Sequence, residues 1–127
     1  MTTCQARDEL VLWPDLVDLL RFSGRKRLTL DGREFALLGG SYCATDGGKD
    51  LIPLFKSCDT ILFDRLLQDL QLAFAAINCP EFAVLSDMLT TEEIKKLAQS
   101  SLIEIGSHGM THQSFVACGL DQSSREA

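Results

Sequence analysis

Apolar and polar residues along this chain alternate between helical and extended spacing. Residues 10–22 open Leu-Val-Leu-Trp-Pro, and Leu16, Val17, Leu19, Leu20 and Phe22 then form a short apolar face. Pro14 suits the first turn of a helix, where a missing N–H costs nothing, and Gly24 can stop it. Leu28-Thr29-Leu30 and Arg33-Glu34-Phe35-Ala36-Leu37 flank Asp31-Gly32. Asp-Gly accepts the positive φ angles of a tight turn, so the spacing predicts a β-hairpin over 28–37. Residues 39–48 carry Gly39-Gly40 and Gly47-Gly48 and read as a loop.

Helical spacing returns at Asp50. Leu51, Leu54 and Phe55 make one apolar face. Phe63, Leu66, Leu67, Leu70, Phe74 and Ile77 recur at intervals of three and four, predicting a helix from about Thr60 to Ile77. Pro80 ends it, because proline disfavours helix in the residue before it, and residues 81–88 read as a linker. Thr90 and Glu93 have the spacing of a capping box. The helix they open would bury Ile94, Leu97 and Ala98 and expose Glu92, Lys95 and Lys96. Ser100-Ser101 breaks it, and Leu102-Ile103-Glu104-Ile105 reads as a short buried strand. Residues 119–127 form a polar tail.

The expected fold class is therefore α+β, a mainly helical single domain over 1–127. Its only sheet elements would be the hairpin at about 28–37 and the strand at about 102–105. The apolar faces on 50–57 and 60–77 exceed what one hairpin can cover. That surplus predicts a homodimer built on those helices.

Charge narrows the partners. Twelve Lys and Arg against 18 Asp and Glu leave a net charge of −6. Phosphate recognition needs a basic face, so nucleic acid is not expected as a partner. Arg25-Lys26-Arg27 reads as a solvated turn. No apolar run reaches the ~18 residues of a membrane helix, and the first nine residues are polar, so the expectation is a cytoplasmic protein with no membrane partner. The five cysteines (Cys4, Cys43, Cys58, Cys79 and Cys118) are odd in number and widely spread. They read as reduced core or surface residues.

Candidate chemistry centres on His108 and His112, the only two histidines. Neutral imidazole is the commonest protein ligand for zinc and similar divalent metals. Placed just after a strand, the pair reads as half of a metal site. Candidate third ligands are Asp46, Glu104, Cys118 and Asp121.

The run Met88-Leu89-Thr90-Thr91-Glu92-Glu93-Ile94, then Leu102-Ile103-Glu104-Ile105-Gly106-Ser107-His108 and Thr111-His112, resembles the second motif region of the polysaccharide deacetylase family, carbohydrate esterase family 4. In that family a helix beginning Leu-Thr precedes a strand ending Glu-Ile-Gly-(Ser/Ala)-His, and the loop closes as Thr-His. A looser likeness joins Leu12-Trp13-Pro14-Asp15-Leu16 and Leu28-Thr29-Leu30-Asp31-Gly32-Arg33-Glu34-Phe35 to an insertion found in some bacterial members. The resemblance divides the domain into an insertion-like region (1–87), a deacetylase-core-like helix, strand and histidine loop (88–118) and the tail. It implies a fragment of an irregular (β/α) barrel, with His108 and His112 as ligands to zinc. The implied activity is metal-dependent hydrolysis of acetyl groups from a carbohydrate. The family's Thr-Phe-Asp-Asp motif is missing. Ala44-Thr45-Asp46-Gly47-Gly48 echoes it with one carboxylate, which leaves Asp46 as the third-ligand candidate. The expectation is thus a deacetylase-like protein that is incomplete or inactive as it stands. The alternative is a non-enzymatic helical structural or interaction module, dimeric, in which the histidines are incidental.

Overall fold

The computed structural model describes residues 11–77 and 89–106. The first stretch forms two layers, an antiparallel sheet with helices on one side. In chain order it runs α1 (Trp13–Phe22), β1 (Arg27–Leu30), β2 (Arg33–Leu38), β3 (Ser41–Ala44), α2 (Leu51–Ser57) and α3 (Thr60–Ala75). The second stretch contributes α4 (Thr91–Ala98). The α+β class holds, with four helices and a three-stranded sheet among the described residues.

Helix α1 starts where proline permits it. Pro14 falls within the first two helical positions, Asp15 sits in the positive first turn and Arg21 in the negative last turn. Its apolar stripe buries Trp13, Leu16, Val17, Leu19 and Leu20. The Asp31-Gly32 turn forms as the sequence predicts, with positive φ at both residues (48° and 73°) and Leu30 facing Arg33. Helix α3 adds a clamp to it. The Asp31 N–H donates to Asp69 Oδ2 at 2.7 Å, and Arg65 Nε lies 3.5 Å from Asp31 Oδ1.

The expected loop over 39–48 requires correction, because its first half is a third strand. Gly39 and Gly40 take positive φ (56° and 85°), and Leu38 faces Ser41 across them. Gly-Gly is itself a two-residue hairpin turn, so the chain reverses a second time and returns as β3. The sheet order is β1-β2-β3. Side-chain alternation places Leu28, Leu30, Phe35 and Tyr42 on the buried face. Arg27, Thr29, Glu34, Leu38 and Ser41 are exposed on the other.

The core lies between the buried sheet face and the three helices. Phe55 occupies its centre. It stacks on Trp13 with ring centroids 4.6 Å apart and planes 5° from parallel, and meets Phe63 edge-on at 5.6 Å. One ring thus joins α1, α2 and α3. Leu51, Leu54, Leu66 and Leu70 close around it. The apolar faces of α2 and α3 are therefore covered within the chain, by α1 and by a sheet one strand larger than expected. Ile61 and Leu72 of α3 stay exposed outside that packing.

The second correction concerns 102–105, which is not a strand. Residues 101–102 form a turn, and 103–106 belong to neither helix nor ladder. A strand needs a neighbour for its backbone groups, and none of the described strands lies alongside. Leu102 is 93% exposed, and Ile103 and Ile105 stay more than 40% exposed. Likewise α4 has no fully buried residue: Ile94 and Leu97 are half-buried and Ala98 is exposed. No residue of 89–106 enters the core cluster.

Two substitutions check this division. Phe55→Ala opens a cavity between three helices and is expected to cost about 3–5 kcal/mol. Leu102→Ala removes a side chain already in solvent and is expected to cost about 0.5 kcal/mol or less. Urea unfolding curves of both variants measure the difference, and equal losses would contradict this account of the core.

Candidate functional site

The approach to the histidine pair begins with a helix whose ends are sealed locally. Thr90 is its N-cap. Thr90 Oγ1 accepts from the Glu93 N–H at 3.3 Å, and Glu93 Oε2 accepts from the Thr90 N–H at 2.8 Å. The Thr90 hydroxyl also donates to that carboxylate at 2.9 Å. The predicted capping box is thus present on both sides. Glu92 and Glu93 occupy the first turn, Lys95 and Lys96 the last, in the order the helix dipole favours. Lys95 Nζ reaches Glu92 Oε1 at 2.9 Å on the open surface, a contact worth little by itself.

After α4 the chain turns on Ser100. The Ser100 N–H donates to the Leu97 carbonyl, the Ile103 N–H to the Ser100 carbonyl, and the Leu102 N–H to Ser100 Oγ. Ile103 and Ile105 then line a shallow depression of about 110 Å³ with Leu89, Ile94 and Leu97. Gly106 ends the described stretch. His108 and His112 lie outside the described residues, as do Cys118 and Asp121.

The remaining ligand candidates can be placed. Asp46 is exposed in the turn after β3, and its Oδ1 accepts the Gly48 N–H at 2.8 Å. That bond closes a small side-chain turn and gives the carboxylate a structural role. Asp50 does the same for the sheet, with Oδ1 accepting the Ala44 N–H at 3.0 Å. Glu104 is exposed. Among the described residues no three His, Cys, Asp or Glu side chains converge in a way that could hold a metal ion.

The described cysteines are free thiols, as the sequence suggests, and neither is activated. Burial pushes the Cys43 thiol above its ordinary value, and the Asp50 carboxylate beside it raises it further. Burial also raises Cys58, whose thiol donates to the Phe55 carbonyl at 3.6 Å. A thiol held protonated is a poor nucleophile and a poor metal ligand. Tyr42 is raised by burial too, against the pull of Arg25 and Arg21, and its hydroxyl donates to the Arg25 carbonyl at 2.8 Å. The basic turn is partly engaged, since Arg25 Nη1 donates to the Ala73 carbonyl at the end of α3. A second depression, about 240 Å³ between Val11, Leu16, Gln71 and Phe74, offers one amide and otherwise apolar walls.

No helix of the described residues is long and apolar enough to cross a membrane. No family model, curated protein or solved structure matches the chain.

The capping box makes a pH-dependent prediction. Hydrogen bonds from the Thr90 N–H and hydroxyl hold the Glu93 carboxyl below its ordinary range. A depressed carboxylate stabilises the fold above its unfolded pKa, and that contribution is lost as pH falls through the lowered folded value. The NMR titration of the Glu93 side chain should therefore lie to the acid side of an ordinary glutamate, and α4 should lose helicity over the same acid range. In Thr90→Ala the Glu93 titration should move back toward the ordinary value. An unchanged curve would rule out the hydroxyl's part and leave the shift to the Thr90 N–H, which alanine keeps.

Proposed function

We propose that this chain is a polysaccharide deacetylase-like protein in which residues 88–112 correspond to the second motif region. His108 and His112 would supply two ligands to zinc or a similar divalent ion. The observation that carries this reading is the order of residues. A Leu-Thr helix start is followed by Glu104-Ile105-Gly106-Ser107-His108, and Thr111-His112 completes the run. The capping box at Thr90 and the helix Thr91–Ala98 support it, because they place a helix end a few residues before that motif. The apolar, uncovered run 102–105 is consistent with a segment that becomes a barrel strand only beside neighbouring strands.

Among the described residues no set of donors makes a metal centre. A catalytic zinc normally takes three protein ligands and a water. Two imidazoles fall one short, and Asp46 already binds the Gly48 N–H. Hydrolysis further needs a base within reach of the attacking water. Neither imidazole is among the described residues, so no base is assigned to an attacking water and no catalytic step is derived. In this reading the acetylated carbohydrate is the ancestral substrate class, and the chain is incomplete or inactive unless the missing groups come from elsewhere.

Zinc titration and acetate release test the reading together, on protein free of any histidine tag. The expected result is weak zinc binding that disappears in His108→Ala and His112→Ala, with no acetate released from acetylated chitooligosaccharides. Stoichiometric zinc retained through purification, with acetate release abolished by His108→Ala, would show a complete hydrolase. Zinc binding indifferent to both substitutions would overturn the reading and leave a non-enzymatic interaction module.

A further inference from the structure

The two edges of the sheet are not equivalent. On the β3 side, the Asp50 carboxylate takes the outward N–H of Ala44, and α2 packs alongside. That edge is closed. On the β1 side, the Leu37 N–H donates to the Lys26 carbonyl, which sets the hydrogen-bonding phase of the ladder. Residues 28 and 30 then point their backbone groups at β2, and Arg27 and Thr29 point theirs off the sheet. Both are exposed, and Arg27 has no ion-pair partner among the described residues. An open strand edge of this kind is a template for another strand.

The complementary feature lies in the same chain. Leu102-Ile103-Glu104-Ile105 has β-branched residues, apolar side chains in solvent, and no described hydrogen bond to the backbone of Glu104 or Ile105. Ile103, Glu104 and Ile105 border the depression beside α4, while Leu102 stands in solvent.

We propose that 102–105 of a second copy adds antiparallel to β1, with Glu104 opposite Arg27, and that the exchange is reciprocal. Three observations select this occupant. The charges complement, since the single acid of the segment meets the Arg25-Lys26-Arg27 cluster. The faces match: with Glu104 opposite Arg27, Ile103 falls opposite Leu28, so the isoleucines join the buried side of the sheet. Helix α4, packed on those isoleucines, then extends the existing helical layer instead of colliding with the open face. Reciprocal exchange gives a closed two-fold dimer in which each pairing occurs twice. This interface uses neither α2 nor α3, and it is independent of the deacetylase reading.

Sedimentation equilibrium of the whole chain over a wide concentration range tests the proposal, with circular dichroism to confirm folding. Arg27→Glu and Glu104→Arg, both at exposed positions, should each raise the dimer dissociation constant by about tenfold, and the double reversal should restore it. Glu104→Pro, which removes the N–H that would face Arg27, should weaken the dimer without unfolding the body. A chain that stays monomeric throughout overturns the proposal and leaves the segment to a different protein. So does a dimer indifferent to the reversals, or one that the double reversal fails to restore.

Discussion

The burial of Phe55 between Trp13 and Phe63 is the contact on which the body of this protein depends. Each ring comes from a different helix, so this one contact joins all three. A seven-residue helix such as α2 has no stability of its own in water. It exists because Leu51, Leu54 and Phe55 are removed from solvent against α1, α3 and the sheet. The stack also explains why the sheet can remain three short strands. One face is fully sealed by helices, and the other carries Arg27, Thr29, Glu34 and Ser41 into water.

The stretch 89–106 is organised by different forces. Its helix rests on reciprocal capping, charge order along the dipole and an i,i+3 ion pair, all of them local. None of these buries apolar surface. The segment that follows therefore shows its isoleucines and Leu102 to solvent, where a core segment would hide them. This contrast underlies both functional readings. A run patterned as a strand but standing without a ladder is a surface in need of a partner. The same run leads to the only two imidazoles in the chain.

Five aspartates of the body are engaged structurally. Asp31, Asp46, Asp50, Asp59 and Asp69 each contact or accept from backbone or side-chain groups that shape turns and caps. The thiols are held neutral by burial.

Local rules were enough to read most elements from the residues alone. Pro14 at a helix start, Asp31-Gly32 at a turn, the three-and-four spacing of α3 and the Thr90–Glu93 box each depend on a few neighbouring side chains. So does the His-x-x-x-His motif with its family likeness. Two features were not legible in that way. Strand β3 was hidden because glycine pairs signal both loops and two-residue hairpins, and only the pairing of Tyr42 with Leu37 separates them. The fate of 102–105 was misjudged for the opposite reason. Its pattern is that of a buried strand, but burial and ladder bonds are supplied by neighbours distant in sequence, and a pattern cannot show whether those neighbours are there. Local composition thus determined where the chain turns, coils and carries its imidazoles. Tertiary packing alone decided which apolar faces are satisfied, because that depends on what each face meets in space.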